Sequence, residues 1–115
     1  MPVSLDQTHR EEARQIAREL ARIARTGKVL PGSIIERHTY CGRAGCACQA
    51  DPPRPHGPYW QWTRKVKNKT VSKWLSKSHG PEYKLWIEND RQIHKLISRL
   101  EAISIEHLEA ERSHD

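Results

Sequence analysis

Phenylalanine is absent from this 115-residue chain, and its aromatic content rests on four tryptophans and three tyrosines. A core built from so few large rings is small, and a metal staple would help such a domain fold. Long apolar runs are missing too: none approaches the ~20 residues that a membrane-spanning helix needs. The opening stretch, Met1 to Arg14, does not read as a secretory signal, because no basic start leads into an apolar core. Cysteine occurs only three times, and an odd count always leaves one thiol outside a disulfide framework. Free thiols without an export signal predict a reducing compartment, most simply the cytoplasm.

A fourth absence is local. From Pro52 to Pro81 there is no Asp or Glu, while Arg54, Arg64, Lys65, Lys67, Lys69, Lys73 and Lys77 all fall inside that stretch. These seven cations exceed the formal net charge of +6, so the remainder of the chain is slightly acidic. Such localisation predicts a polyanionic partner, nucleic acid first, against the plainer reading of a solvated basic surface.

What is present is a knot of thiols. Cys41, Cys46 and Cys48 stand within eight consecutive residues, and His56 follows eight residues after the last of them. Three thiolates and one imidazole make a complete four-ligand set for a structural zinc ion, Zn2+. In an extended segment Cys46 and Cys48 would point the same way, and Gly42 and Gly45 allow the turn that returns Cys41 to the same centre. His38, on the strand leading into the loop, competes with His56 for the fourth position. Buried free cysteines or an iron–sulfur site are the alternatives, the latter weakened by having only three cysteines. A catalytic zinc would need an open position and a base beside it, and only Glu36 and Asp51 lie near. The chain is therefore expected not to be an enzyme.

Periodicity divides the chain into three parts: 1–30 as an N-terminal helix, 31–78 as a zinc-knuckle sheet module, and 79–115 as a long helix with a polar tail, all in one compact domain. In the first, Thr8 with Glu11 makes a capping box, and Ala13, Ile16, Ala17, Leu20, Ile23 and Ala24 recur at the spacing of one helical face. Gly27 and Pro31 end that helix. Arg10, Arg14, Arg18, Arg22 and Arg25 lie opposite, as a solvated face or an additional phosphate surface. In the second, strands are predicted at Ser33–Tyr40, Tyr59–Lys65 and Thr70–Leu75, with a tight turn through Val66-Lys67-Asn68-Lys69. Trp60, Trp62 and Arg64 share one face of the middle strand, and Tyr59, Gln61, Thr63 and Lys65 the other. In the third, Pro81 opens a helix that reaches about Glu109, and Trp86, Ile93, Leu96, Leu100 and Ile103 form its apolar stripe. The predicted class is α+β, a three-stranded antiparallel sheet with an inserted zinc knuckle flanked by two helices. The stripe is longer than such a sheet can cover, so it meets the first helix or pairs with a second copy of the chain as a homodimer.

Gly32-Ser33-Ile34, Cys41-Gly42 with Cys46-x-Cys48, His56-Gly57-Pro58-Tyr59 and the basic strand ending near Leu75 together resemble a family of short prokaryotic and phage-type proteins of unknown function. The likeness covers about Leu30 to Ile103, leaving the first helix and the tail outside it. It implies the same zinc-knuckle architecture and an association with mobile elements, but no activity. The order of three strands then a helix is also similar to the arm-binding domains of tyrosine recombinases, which set a sheet in the DNA major groove. Together these readings predict a non-enzymatic nucleic-acid-binding domain, with DNA, double-stranded, ahead of RNA, and no membrane partner. The rival is a helix-mediated interaction module whose zinc is purely structural.

Overall fold

A computed structural model describes residues 7–112. In chain order the elements are α1 (Gln7–Thr26), β1 (Ser33–Thr39), a short 3-10 turn (Ala47–Gln49), β2 (His56–Val66), β3 (Lys69–Leu75) and α2 (Gly80–Arg112). The class is α+β as expected, with one three-stranded antiparallel sheet in the order β1-β2-β3. No helix among the described residues is long and apolar enough to cross a membrane. Contacts gather in two compact units, one formed by residues up to 29 with those from 88 onward, the other by 30–87.

In the first unit α1 lies antiparallel to the later part of α2. Asn89 Nδ2 donates to the Lys28 carbonyl at 3.0 Å, Arg99 makes a two-pronged ion pair with Glu12, and His9 Nε2 lies 2.7 Å from Glu106. Ile16, Ile23 and Ile103 are buried along this seam. Ala17 and Ala24, predicted for the same stripe, are exposed. One partner helix covers a narrow seam rather than a broad face, so only the central positions close. Thr8 lies inside α1 rather than at its cap, and the Glu11 carboxylate accepts from Gln7 Nε2 at 2.9 Å. The far end is as expected: Gly27 takes φ +65°, where a side chain would be strained, and its amide reaches the Ala24 carbonyl.

In the second unit β2 is the central strand, paired from Ser33↔Thr63 to Thr39↔His56 on one side and from Trp60↔Leu75 to Val66↔Lys69 on the other. Lys67 and Asn68 both have positive φ, so the hairpin closes by a two-residue turn whose backbone twist matches the strands. One sheet face is closed. Trp60 is buried there, and the helix start at Gly80 comes so near that a Cβ on Gly80 would overlap the indole ring. Trp62 Nε1 donates to the Pro31 carbonyl at 2.7 Å, and the Arg64 guanidinium stacks 4.9 Å from the Trp62 ring centre. Leu30 N bonds the Trp86 carbonyl at 3.1 Å, tying the chain before β1 to the first turns of α2. The opposite face carries Tyr59, Gln61, Thr63 and Lys65, flanked in register by Ile35 and Arg37 from β1 and Ser72 and Trp74 from β3. That face is open.

Candidate metal centre

The loop between β1 and β2 is too rich in proline and glycine to continue either strand, and it folds on itself through short turns. The Cys46 amide bonds the Arg43 carbonyl at 3.3 Å across Gly45, whose φ of +81° is left-handed. Cys46 then begins the 3-10 turn, in which Gln49 N reaches the Cys46 carbonyl at 2.9 Å. Arg54 N returns to the Ala47 carbonyl at 3.1 Å and closes the proline-rich stretch behind it. Cys46 and Cys48 therefore converge through a tight turn, not through the extended segment expected from their spacing of two.

His56 arrives from the other side, as the first residue of β2. The β1–β2 register slips between Arg37 and Thr39, which sets His56 opposite Thr39. Gly57 permits this: its φ is +131°, and a Cβ there would stand 2.8 Å from the Arg37 carbonyl oxygen.

The result is a cluster in which one ligand atom from each of Cys41, Cys46, Cys48 and His56 lies within 4.8 Å of every other. Cys41 Sγ and Cys48 Sγ are 3.4 Å apart, and Cys46 Sγ is 3.3 Å from His56 Nε2. Cys48 is buried and the other three are half-buried. His38 is not in the group; its Nε2 lies 3.5 Å from Glu36 Oε1, and its side chain is half exposed. Backbone and side-chain donors brace the sulfurs. Cys41 N points at Cys48 Sγ at 3.3 Å, and Gln49 Nε2 reaches both Cys48 Sγ and the Cys41 carbonyl.

These donors set the thiols apart. The Cys48 amide, followed by hydrogen bonds from the Cys41 and Cys48 thiols, lowers the Cys46 thiol from 9.0 to about 7. At Cys41 the Arg43 amide pulls downward, but hydrogen bonds to Cys48 and Cys46, burial and the Cys46 charge outweigh it and leave that thiol raised. One thiolate forms easily and hinders its neighbour, the electrostatic state that a cation relieves. Three soft sulfurs, one imidazole and a compact volume fit a metal ion that prefers four ligands. Beside the cluster a recess of about 360 Å³ is lined by Thr39, Cys41, Arg43, Cys46, His56 and Tyr59, none of them a carboxylate.

Among known protein families, one described as a domain of unknown function, DUF6788, matches residues 9–85. The chain belongs to this family. The DUF6788 match takes in nearly all of α1 and ends early in α2, so the shared region begins earlier and stops sooner than the Leu30 to Ile103 span suggested by the motifs alone. It includes the whole Cys/His cluster and the β2–β3 hairpin. No curated protein and no solved structure matches the chain.

Six of the seven basic residues singled out in the sequence, Arg54, Lys65, Lys67, Lys69, Lys73 and Lys77, are exposed in this DUF6788 chain. Arg64 is instead half-buried over Trp62, with its Nε enclosed and unpartnered. Arg10, Arg14, Arg18, Arg22 and Arg25 are exposed on α1, with Arg22 held to Glu19. One feature escaped the sequence reading: Gln49, a support for two of the thiol residues, has no spacing signal. The β2–β3 register sets Trp74 on the open face beside Tyr59.

Proposed function

We propose that this chain is a zinc-stabilised, non-enzymatic nucleic-acid-binding domain that contacts phosphates through the β2–β3 hairpin. One observation carries the reading: the acid-free stretch contains the β2–β3 hairpin, whose end presents Lys65, Lys67 and Lys69 to solvent. A concentration of like charge at the tip of a narrow ribbon attracts a polyanion and releases its counterions. Duplex DNA suits the ribbon's width, since a two-stranded ribbon enters the major groove. The order of three strands then a helix, shared with recombinase arm-binding domains, agrees with this.

Zinc is the ion the cluster favours. Tetrahedral thiolate coordination with bonds near 2.3 Å sets ligand atoms ~3.8 Å apart; here the four donors lie between the 3.3 Å of Cys46–His56 and the 4.8 Å bound. Cys41, Cys46, Cys48 and His56 would hold it, joining the β1–β2 loop to the head of β2. With all four positions filled by protein and no carboxylate lining the adjoining recess, the ion's work is structural.

The test is binding of a fluorescent 20-mer followed by anisotropy across a salt series. Binding is expected to weaken steeply with salt, and changing Lys65, Lys67 and Lys69 together to Ala should flatten the slope by roughly two to three, one counterion step per lost contact. Unchanged affinity and slope in that variant would refute the phosphate role of the hairpin.

A second reading has its own support. On α2, Ile97, Leu100, Ile105 and Leu108 are all exposed, and Ile97, Leu100, Glu101, Ser104 and Ile105 line a shallow, mainly apolar groove. Such a face suits self-association or another protein helix. A single monomeric species in sedimentation velocity across a hundredfold concentration range would remove the self-association reading.

A further inference from the structure

The open face of the sheet carries an aromatic corner that phosphate binding does not use. Trp74 is 62 % exposed and Tyr59 39 %. Their ring centres are 6.3 Å apart and their planes stand at 79°. With Thr39 they line a recess of about 380 Å³. An exposed tryptophan near the end of β3 leaves a large apolar ring in water, while Trp60, on the opposite side of the same sheet, is 7 % exposed.

The corner is set among cations and hydrogen-bonding groups. Arg37, opposite Tyr59 in the register, is held on this face by its Nε donating to Gln61 Oε1 at 2.7 Å. Arg43 flanks Tyr59 in the adjoining recess. Lys65 continues the same face toward the hairpin tip, past Thr63 and Ser72, whose hydroxyls meet at 3.2 Å. Glu36, the nearest acidic residue on β1, alternates to the other face.

We propose that Tyr59 and Trp74 form a base-stacking site for single-stranded nucleic acid on this face, with Arg37, Arg43 and Lys65 tracking the backbone. The proposal rests on the nucleic-acid reading and narrows it: the hairpin's phosphate contacts serve duplex and single strand alike, and the aromatic corner shifts the preferred ligand from the duplex to the single strand. In a duplex the faces of the bases are already stacked on one another and only their edges are offered, so a ring face has nothing to receive. A single strand presents free π-faces, which exposed aromatics on a sheet take up with little regard to sequence. Two rings at near right angles offer one plane for stacking and one edge to bound it, a corner the size of a single base. The cations around it fit a polyanion and disfavour a purely apolar protein partner.

The discriminating experiment uses the full chain, a fluorescein-labelled (dT)20, an (rU)20 and a 20-base-pair duplex, with wild type, Trp74→Ala, Tyr59→Ala and the triple lysine variant. Single strands are expected to bind more tightly than the duplex and to quench tryptophan fluorescence. Trp74→Ala should weaken single-strand binding roughly 5- to 100-fold, as loss of one base stack does, with duplex binding and the salt slope little changed. The lysine variant should lower the salt slope for every ligand. Because Trp74 is largely in solvent, its replacement should leave the melting temperature in place. Tighter duplex binding, or single-strand binding untouched by both aromatic variants, overturns the stacking site while leaving the hairpin's phosphate role standing. If none of the three ligands binds, both fall. A wild-type dimer that Trp74→Ala abolishes overturns the proposal in favour of a second copy on this face.

Discussion

Cys46 Sγ and His56 Nε2 stand 3.3 Å apart although they lie ten positions apart in the chain. The contact joins the turn after β1 to the first residue of β2, across a stretch containing three prolines and no regular structure except the short 3-10 turn. Without a bond there, loop-closure entropy would favour release of the loop from the strand. A metal ion on these two residues, with Cys41 and Cys48, would make the junction a fixed point from which the hairpin projects.

Metal-free protein should show unequal thiols. The Cys46 thiol, lowered to about 7 from 9.0, is expected to react with iodoacetamide half-maximally near pH 7, ahead of Cys41, whose thiol is raised. Because its folded value lies below the unfolded one, Cys46 stabilises the metal-free fold fully above about pH 9, and that contribution is lost as pH falls through about 7. Mass mapping of alkylated peptides against pH is the check. Cys41 reacting first would contradict the hydrogen-bond arrangement around Cys46.

Gly80→Ala should destabilise the fold. A Cβ at position 80 would run into the Trp60 indole, a buried ring with little freedom to withdraw. Overpacking of this kind costs about 1–3 kcal/mol, more than the ≤1 kcal/mol that alanine's helix preference returns. Urea unfolding measures the balance, and an unchanged midpoint would mean that the helix start stands further from the sheet.

Lys67 holds a left-handed backbone conformation, φ +50°, at the first centre of the hairpin turn. Asparagine adopts that conformation at lower cost. Lys67→Asn is therefore expected to raise stability by about 0.5–1 kcal/mol and, by removing a charge from the tip, to weaken nucleic-acid binding. Chemical unfolding and anisotropy on one preparation would show the two effects moving in opposite directions. Loss of both stability and binding would count against the turn's role as a strained, exposed phosphate contact.

Much of the fold was legible because it rests on local rules. Gly27 beyond the α1 end, Pro81 in the first turn of α2 and Asn68 in the hairpin turn each mark an element by a conformation few residues take. The alternation along β2 placed Trp60 and Tyr59 on opposite faces before any pairing was known. What failed depended on partners. Ala17 and Ala24 fit a helical face, but a single facing helix does not reach them. Arg64 reads as a free cation until Trp62 lies beneath it, and only the pairing of Trp74 with Gln61 fixes which face Trp74 takes. At the metal centre, the four residues could be chosen by chemistry and nearness, whereas the rejection of His38 needed the register slip that brings His56 opposite Thr39.

Everything proposed for the hairpin depends on Cys41, Cys46, Cys48 and His56 holding one zinc ion. Native mass spectrometry of the purified chain beside its Cys48→Ser and His56→Ala variants tests it most directly. One zinc per chain is expected in the wild type, with loss of it in Cys48→Ser and loss or marked weakening in His56→Ala. A metal-free wild type with three freely titrating thiols, or a zinc stoichiometry that both variants retain, would contradict it.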